Sequence, residues 1–301
     1  MIDHAVIFCG IVKNVGEKAR SNIDLVLRTG QQFRKFKCVV YENNSTDSTK
    51  DILKTYAGNS AVKILSEDLP PESFKKENSV LWAYTDVTGS DHPCRMELIS
   101  NARNKLLEEI NKPDYSEYTY CIMIDLDSNG WDINGIVDSF GRCDEWDAVF
   151  ATSRPYYDYY ALRTAALPFG PELLGDSFWR ALPSIRPQGP LVPVYSAFNG
   201  IGIYKKSLLE AHRYDFQVDD EMKIFYRKWL STNSINAAQK ALIENPCTKF
   251  PISWKDEEGA IVWKSNSGYK GAVVCEHLPL NLALVNRGCR LFINPAMVYN
   301  R

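Results

Sequence analysis

Apolar, β-branched runs recur through the first half of the chain: HAVIFCGIV (4–12), KCVVYE (37–42), AVKILSE (61–67), YTYCIMIDLD (118–127) and WDAVFATS (146–153). Between most of them the apolar positions return at three- and four-residue steps, the period of an amphipathic helix. Strands alternating with helices predict βαβ units, and hence an α/β fold with a largely parallel sheet covered on both faces. Such sheets bind ligands beyond the carboxyl ends of their strands, so the residues just past each run are the first candidates for chemistry.

The regularity fades in 154–200, RPYYDYYALRTAALPFGPELLGDSFWRALPSIRPQGPLVPVYSAFNG, which is rich in proline and aromatic residues. A stretch this long without regular structure usually carries function. After it the pattern predicts a strand at GIGIYKK, a helix around Ser207 to Arg213, a polar helical segment from about 218 to 243, a loop or hairpin region, and the closing segment VVCEHLPLNLALVNRGCRLFINPAMVYN. No internal repeat, low-complexity tract or clean linker interrupts 1–301, which reads as a single domain.

Composition narrows the function. With 45% hydrophobic and 24% charged residues the chain is an ordinary globular protein. A formal charge of -2 and a pI near 6.1 supply no basic field, so no nucleic-acid partner is expected. The eight cysteines, at 9, 38, 94, 121, 143, 247, 275 and 289, form no CxxC pair, and several sit inside apolar runs. They read as small core residues in a reducing compartment, and with only four histidines they argue against a structural zinc site. The stretch Ala5 to Val12 follows Asp3 and His4, so it lacks the basic start of a signal peptide. No run approaches the ~18 apolar residues of a membrane span. A cytoplasmic protein is expected, with peripheral attachment at the cytosolic membrane face left open.

Four places combine polar chemistry with a strand end or helix terminus. The run CIMIDLD ends on Asp125 and Asp127, two carboxylates one residue apart that point the same way from a strand. Such a pair suits Mg²⁺ or Mn²⁺ shared with phosphate oxygens; alternatively Asp127 or Asp132 caps the helix INGIVDSF. In YENNSTDSTKDIL (41–53), Ser48 and Asp51 fit a capping box and Asn43-Asn44 a turn, while Glu42 stands where a nucleotide's base or ribose could bond to it. In CRMELISNARNKLLEEI (94–110) an apolar stripe through Met96, Ile99, Leu106 and Ile110 also contains Arg103. A buried arginine needs an anionic partner, either a core carboxylate or a phosphate. In CEHLPLNLALVNRG (275–288), Pro279 fits a first helical turn and Gly288 a C-terminal cap, which puts Glu276 and His277 at the helix N-terminus. There they either complement the helix dipole at the surface or face the cleft, one toward a reacting sugar and one as a metal ligand.

In order, ENNSTDST, ISNARNKLLEE, CIMIDLD and EHLPLNLALVNRGCRLFINPAMVY resemble the GT-A glycosyltransferases, notably their family-2-like members. A narrower similarity joins ARNKLLEE, YYDYYALR (156–163), DSFWR, VYSAFNGIGIYKKSLL and CEH with INPAMVY to the capsule-associated mannosyltransferases of the Cap59-like family. The first resemblance implies a GT-A type, Rossmann-like mixed and mostly parallel sheet flanked by helices, with a nucleotide-binding half at 1–130 and an acceptor-binding half at 131–301. Together the two imply transfer of a sugar from a nucleotide-sugar donor, GDP- or UDP-linked and mannose in the narrower family, to a glycan or glycoconjugate acceptor, with Mn²⁺ or Mg²⁺ and with retention of configuration.

Carried onto this sequence, the resemblance puts Glu42, Asn44, Asp47, Arg103 and Asp125 at the donor, and Asp125, Asp127 and His277 at the metal. Glu276 and His277 become the catalytic pair. Many inverting relatives have an aspartate base where His277 stands. Tyr157, Asp158, Arg163, Trp179 and Asn199 are the expected acceptor contacts, since flat rings with polar edges suit sugars. Two other classes compete. A sugar-phosphate nucleotidyltransferase would carry a glycine-rich loop after its first strand, where GIVKNVGEKAR has no tight cluster. A non-catalytic carbohydrate-binding protein would have no need of Asp125, Asp127 and Glu276 together.

Overall fold

The structure is a computed structural model that describes residues 1–70, 95–170, 189–233 and 273–301. Its first half follows the expected alternation. The elements are β1 (Ile2–Val12), α1 (Glu17–Gly30), β2 (Phe33–Asn43), α2 (Thr49–Lys54), β3 (Val62–Glu67), α3 (Arg95–Ile110), β4 (Tyr120–Asp125), β5 (Gly130–Trp131), α4 (Ile133–Phe140) and β6 (Ala148–Thr152). The second half adds β7 (Val192–Pro193), β8 (Ile201–Lys205), α5 (Ser207–Glu210), α6 (Asp220–Thr232), α7 (His277–Asn286) and β9 (Leu291–Asn300).

These strands form one mixed sheet in the order β3-β2-β1-β4-β8-β6-β9-β5, with β7 pairing β9. Strands β1, β2, β3, β4, β6 and β9 share one direction, while β8, β7 and β5 run against it, so the described sheet is mostly parallel. The position of β8, antiparallel between β4 and β6, is what the run GIGIYKK could not show. A strand's apolar pattern says that it is buried, not which neighbours it has.

Period-two alternation sends β1 side chains to two cores. Ala5, Ile7 and Cys9 join Leu106 and Ile110 of α3 and Leu278 of α7 on one face. Val6, Phe8 and Val12 join Ile23 and Val26 of α1 and Ile136 of α4 on the other. Burial on both faces is why these strands read as continuous apolar runs. Helix α7 is buried on every side from His277 to Leu284, which explains a sequence with no polar stripe. The described cysteines are free, and Cys9, Cys38, Cys121 and Cys275 are buried as core residues. No helix among the described residues is long and apolar enough to cross a membrane.

Candidate functional site

The carboxyl ends of β1, β2 and β4 open onto a cleft of about 560 Å³. Lys13, Asn14, Val15 and Asn43 line one wall, Tyr157, Asp158 and Tyr160 another, and Arg103, Phe198, Glu276 and His277 line it as well; Asp125 and Asp127 stand at its edge.

Asp125 is the last residue of β4 and half-buried; Asp127, two residues on, is exposed. The helix-cap role falls to Asp132, whose carboxylate accepts from Asn134 N–H, so Asp127 is free of it. Between them Leu126 is buried against Gly10, where a Cβ would come within 2.4 Å of the leucine side chain. The turn beyond the strand is held from three sides. Asn22 Nδ2 of α1 donates to the carbonyls of Leu126 and Ser128 at 3.0 and 3.1 Å. Lys18 Nζ donates to the carbonyl of Asp127 at 3.0 Å. The Tyr299 hydroxyl of β9 lies 3.1 Å from the Asp125 carbonyl and 3.3 Å from Asp127 Oδ1.

Arg103 lies on the apolar stripe of α3 and is buried, at 2% exposure. Of the two expected kinds of partner it has carboxylates: Nη2 donates to Asp125 Oδ1 at 2.9 Å and Nε to Glu276 Oε1 at 3.1 Å. The guanidinium lies 4.6 Å from the Phe198 ring centroid, a cation–π contact. Burial works against the charge of the arginine, but Asp125 and Glu276 outweigh it and strengthen the cation. Its Nη1 is buried without a partner among the described residues.

The same packing sets the carboxylates apart. Burial pushes Asp125 up to about 6, against the pull of Arg103 and with the help of Asp127. Burial would raise Glu276 as well, yet the Arg103 cation, its hydrogen bond and a backbone N–H hold it below its ordinary value. His277 itself is driven down to about 3 by burial, so its ring is neutral. It stacks on Phe198 with centroids 3.8 Å apart.

Several expected contacts are relocated. His277 Nε2 lies 3.3 Å from Glu276 Oε1, and among the described residues no three His, Cys, Asp or Glu side chains gather as a metal site. Among the described residues His277 is therefore not assembled with Asp125 and Asp127 as a ligand set. Glu42 is fully buried and accepts from Ser45 N–H and the Ser66 hydroxyl, so it holds the turn instead of lining the cleft. Asn44 is tied to Leu69 through its N–H and carbonyl. Asp47, not the expected Ser48, accepts from Thr49 N–H at the start of α2. Arg163 is buried and donates to the carbonyls of Tyr160 and Leu162. Asn199 lies beneath the wall that carries Tyr157 and Asp158. Trp179 lies outside the described residues.

Two carboxylates at a strand end, one exposed and the other raised by burial and by its neighbour, suit a hard divalent cation that takes one or two carboxylates and completes its shell with phosphate and water. Asp125 and Asp127 fit Mg²⁺ or Mn²⁺ on these grounds. Asn22, Phe198 and Tyr299 were missed by motif reading. Asn22 had a signal, since it sits on the α1 stripe with Ala19, Ile23 and Val26 much as Arg103 sits on that of α3.

No family model matches the chain. No curated protein matches it either. Solved structures do match parts of the chain. S. aureus TarS 1-349 with UDP-GlcNAc is 14% identical with a TM-score of 0.37, covering 70% of this chain and 48% of its own. The mannosyltransferase PcManGT from Pyrobaculum calidifontis with GDP-Man and Mn²⁺ is 15% identical with a TM-score of 0.39, covering 75% of this chain and 52% of its own. The chain thus spans about half the length of these neighbours. At those values neither speaks for this chain's substrate or chemistry.

Proposed function

We propose that the protein is a glycosyltransferase that moves a sugar from a nucleoside-diphosphate donor to a hydroxyl of a glycan or glycoconjugate. The observation that carries this reading is the convergence of Asp125 and Asp127 with Arg103 and Glu276 at the carboxyl edge of the sheet, in a cleft whose volume suits a nucleotide sugar. The residues of 1–130 supply the nucleotide wall, with Glu42, Asn44 and Asp47 shaping it from behind. Those of 131–301 supply the acceptor side, with Tyr157 and Asp158 on the cleft and Arg163 and Asn199 behind them.

Asp125 and Asp127 would hold Mn²⁺ or Mg²⁺ against the diphosphate. Such an ion supplies Lewis-acid stabilisation of a departing diphosphate. Arg103 presents a fixed positive charge to the same pole, and because it is held by two carboxylates and an aromatic ring it needs no rearrangement to act. Glu276 fixes Arg103 and closes the floor under the sugar, while His277 packs beneath it. GDP-mannose is the donor implied by the narrower resemblance, and retention the stereochemistry; the anomeric signal of the product tests the latter.

The test is a thermal-shift panel of GDP- and UDP-sugars with and without Mn²⁺, since a ligand of the folded state raises its melting point. A Mn²⁺-dependent shift is expected, with GDP-mannose first, and Asp127→Ala should abolish it. The reading fails if no donor shifts the wild type, and the metal role fails if Asp127→Ala keeps the full shift.

A further inference from the structure

Transfer to a hydroxyl requires a group to take its proton, and the head of α7 is poorly suited to that task. Glu276 Oε1 already accepts from Arg103, Oε2 lies 3.4 Å from Cys275 Sγ, and the carboxylate is held below its ordinary value. A carboxylate committed to a permanent cation is a weak base. His277 is 1% exposed, stacked on Phe198 and stripped of basicity by burial. Asp125 is bonded to Arg103 at the diphosphate pole.

Asp158 differs from all three. It faces the same cleft from the loop after β6, half-buried, and its hydrogen bonds come from backbone N–H groups. Asn199 N–H donates to Oδ2 at 3.0 Å and Ala161 N–H to Oδ1 at 3.4 Å. No cation pairs with it among the described residues. The loop is set by a dedicated post: the side-chain oxygen of Asn199 accepts from the N–H groups of Tyr157 and Asp158 and from the Ser153 hydroxyl. Asn199 is fully buried and adopts a left-handed φ of 53°, which Asn tolerates better than most residues. A buried post that orients one unpaired carboxylate into a cleft is a specific arrangement, and packing alone does not call for it.

We propose that Asp158 is the proton acceptor of the transfer reaction, an inference that rests on the glycosyltransferase reading above. The acceptor oxygen bonds to the anomeric carbon of the donor, and the bond from that carbon to the diphosphate oxygen breaks with its electron pair leaving on the diphosphate. The hydroxyl proton passes to the Asp158 carboxylate and then to solvent. The hydroxyl must lose its proton whether configuration is retained or inverted. The groups around Asp158 are Glu276 and Cys275 at the head of α7, Arg103 of α3, and its neighbours Tyr156 and Tyr157. Burial and Glu276 raise the carboxyl to about 6 against the N–H donors and Arg103, close to where a general base works best.

The test compares wild type with Asp158→Asn, which keeps the shape and an acceptor oxygen for Asn199. The probe is nucleoside-diphosphate release from GDP-mannose, or from whichever donor shifts the wild type, with Mn²⁺ and with water as the acceptor. Asp158→Asn should lower kcat about 100-fold or more, leave the donor Kd from thermal-shift titration within about twofold, and flatten the acidic limb of the pH–rate profile. Asp158→Glu should restore part of the rate, and it serves as the readout if the asparagine variant melts early. Wild-type kcat in Asp158→Asn, or a loss wholly explained by weaker donor binding, overturns the assignment while leaving the glycosyltransferase reading intact. A wild type that neither binds nor cleaves any donor removes both.

Discussion

At the floor of the cleft, Arg103, Glu276 and His277 are each no more than 5% exposed, and the charges there are matched by direct contact. At the rim, Asp127 is exposed and Asp158 half-buried, and neither carboxylate is paired with a lysine or arginine among the described residues. Buried charges that satisfy one another fix a geometry, and breaking such a set is costly because it strands the remaining members. Unpaired carboxylates at a cleft edge are available to a cation or a proton. Rim and floor should therefore respond differently to the same kind of substitution: the floor in stability, the rim in binding and turnover.

The largest stability effect is expected from Arg103→Ala, which leaves Asp125 and Glu276 facing each other without their cation. A loss of about 3–5 kcal/mol in urea unfolding is expected, against a change within about 0.5 kcal/mol for Asp127→Ala at the rim. Equal losses in the two variants would erase the distinction between floor and rim. Arg103→Lys should fall between, since an ammonium cannot reproduce the fork that reaches both carboxylates.

Asn22→Ala sharpens the comparison, because Asn22 links a buried helix face to the exposed turn. It removes the bonds to Leu126 and Ser128 and leaves their carbonyls without that donor. A loss of about 1–3 kcal/mol is expected, together with a weaker Mn²⁺-dependent donor shift because the Asp127 turn is released. A stability loss with an unchanged donor shift would confine Asn22 to the core.

The smallest effect concerns pH. Asp125 and Asp158 sit near 6 in the fold against an ordinary 3.8, so between those values the folded chain holds more protons than the unfolded one. These two carboxyls should then add stability as pH falls from 7 toward 5, each by on the order of 1 kcal/mol. His277, driven down to about 3 from an ordinary 6.5, and His212, also lowered by burial, work in the opposite direction over the same window, and Glu276, held low, does so as pH drops below its ordinary 4.5. Measured against wild type, Asp158→Asn should lose its share of that gain between pH 7 and 5 in thermal melts; an unchanged slope would show that Asp158 is not raised.

Periodicity and residue type determined much of this protein before any coordinates. The strand runs and the α3 stripe located the sheet and marked Arg103, because burying apolar residues at a fixed period is a local property of the chain. The Asp125-Leu126-Asp127 spacing put two carboxylates at a strand end for the same reason. Tertiary structure alone decided the partners. That Arg103 reaches Glu276 across 173 positions of sequence, that β8 enters between β4 and β6, that Tyr299 braces the Asp127 turn, and that Glu42 turns inward to Ser45 and Ser66 are outcomes of packing between distant segments. Chain composition specifies which groups must find a partner, whereas the geometry of the folded core specifies which partner each one finds.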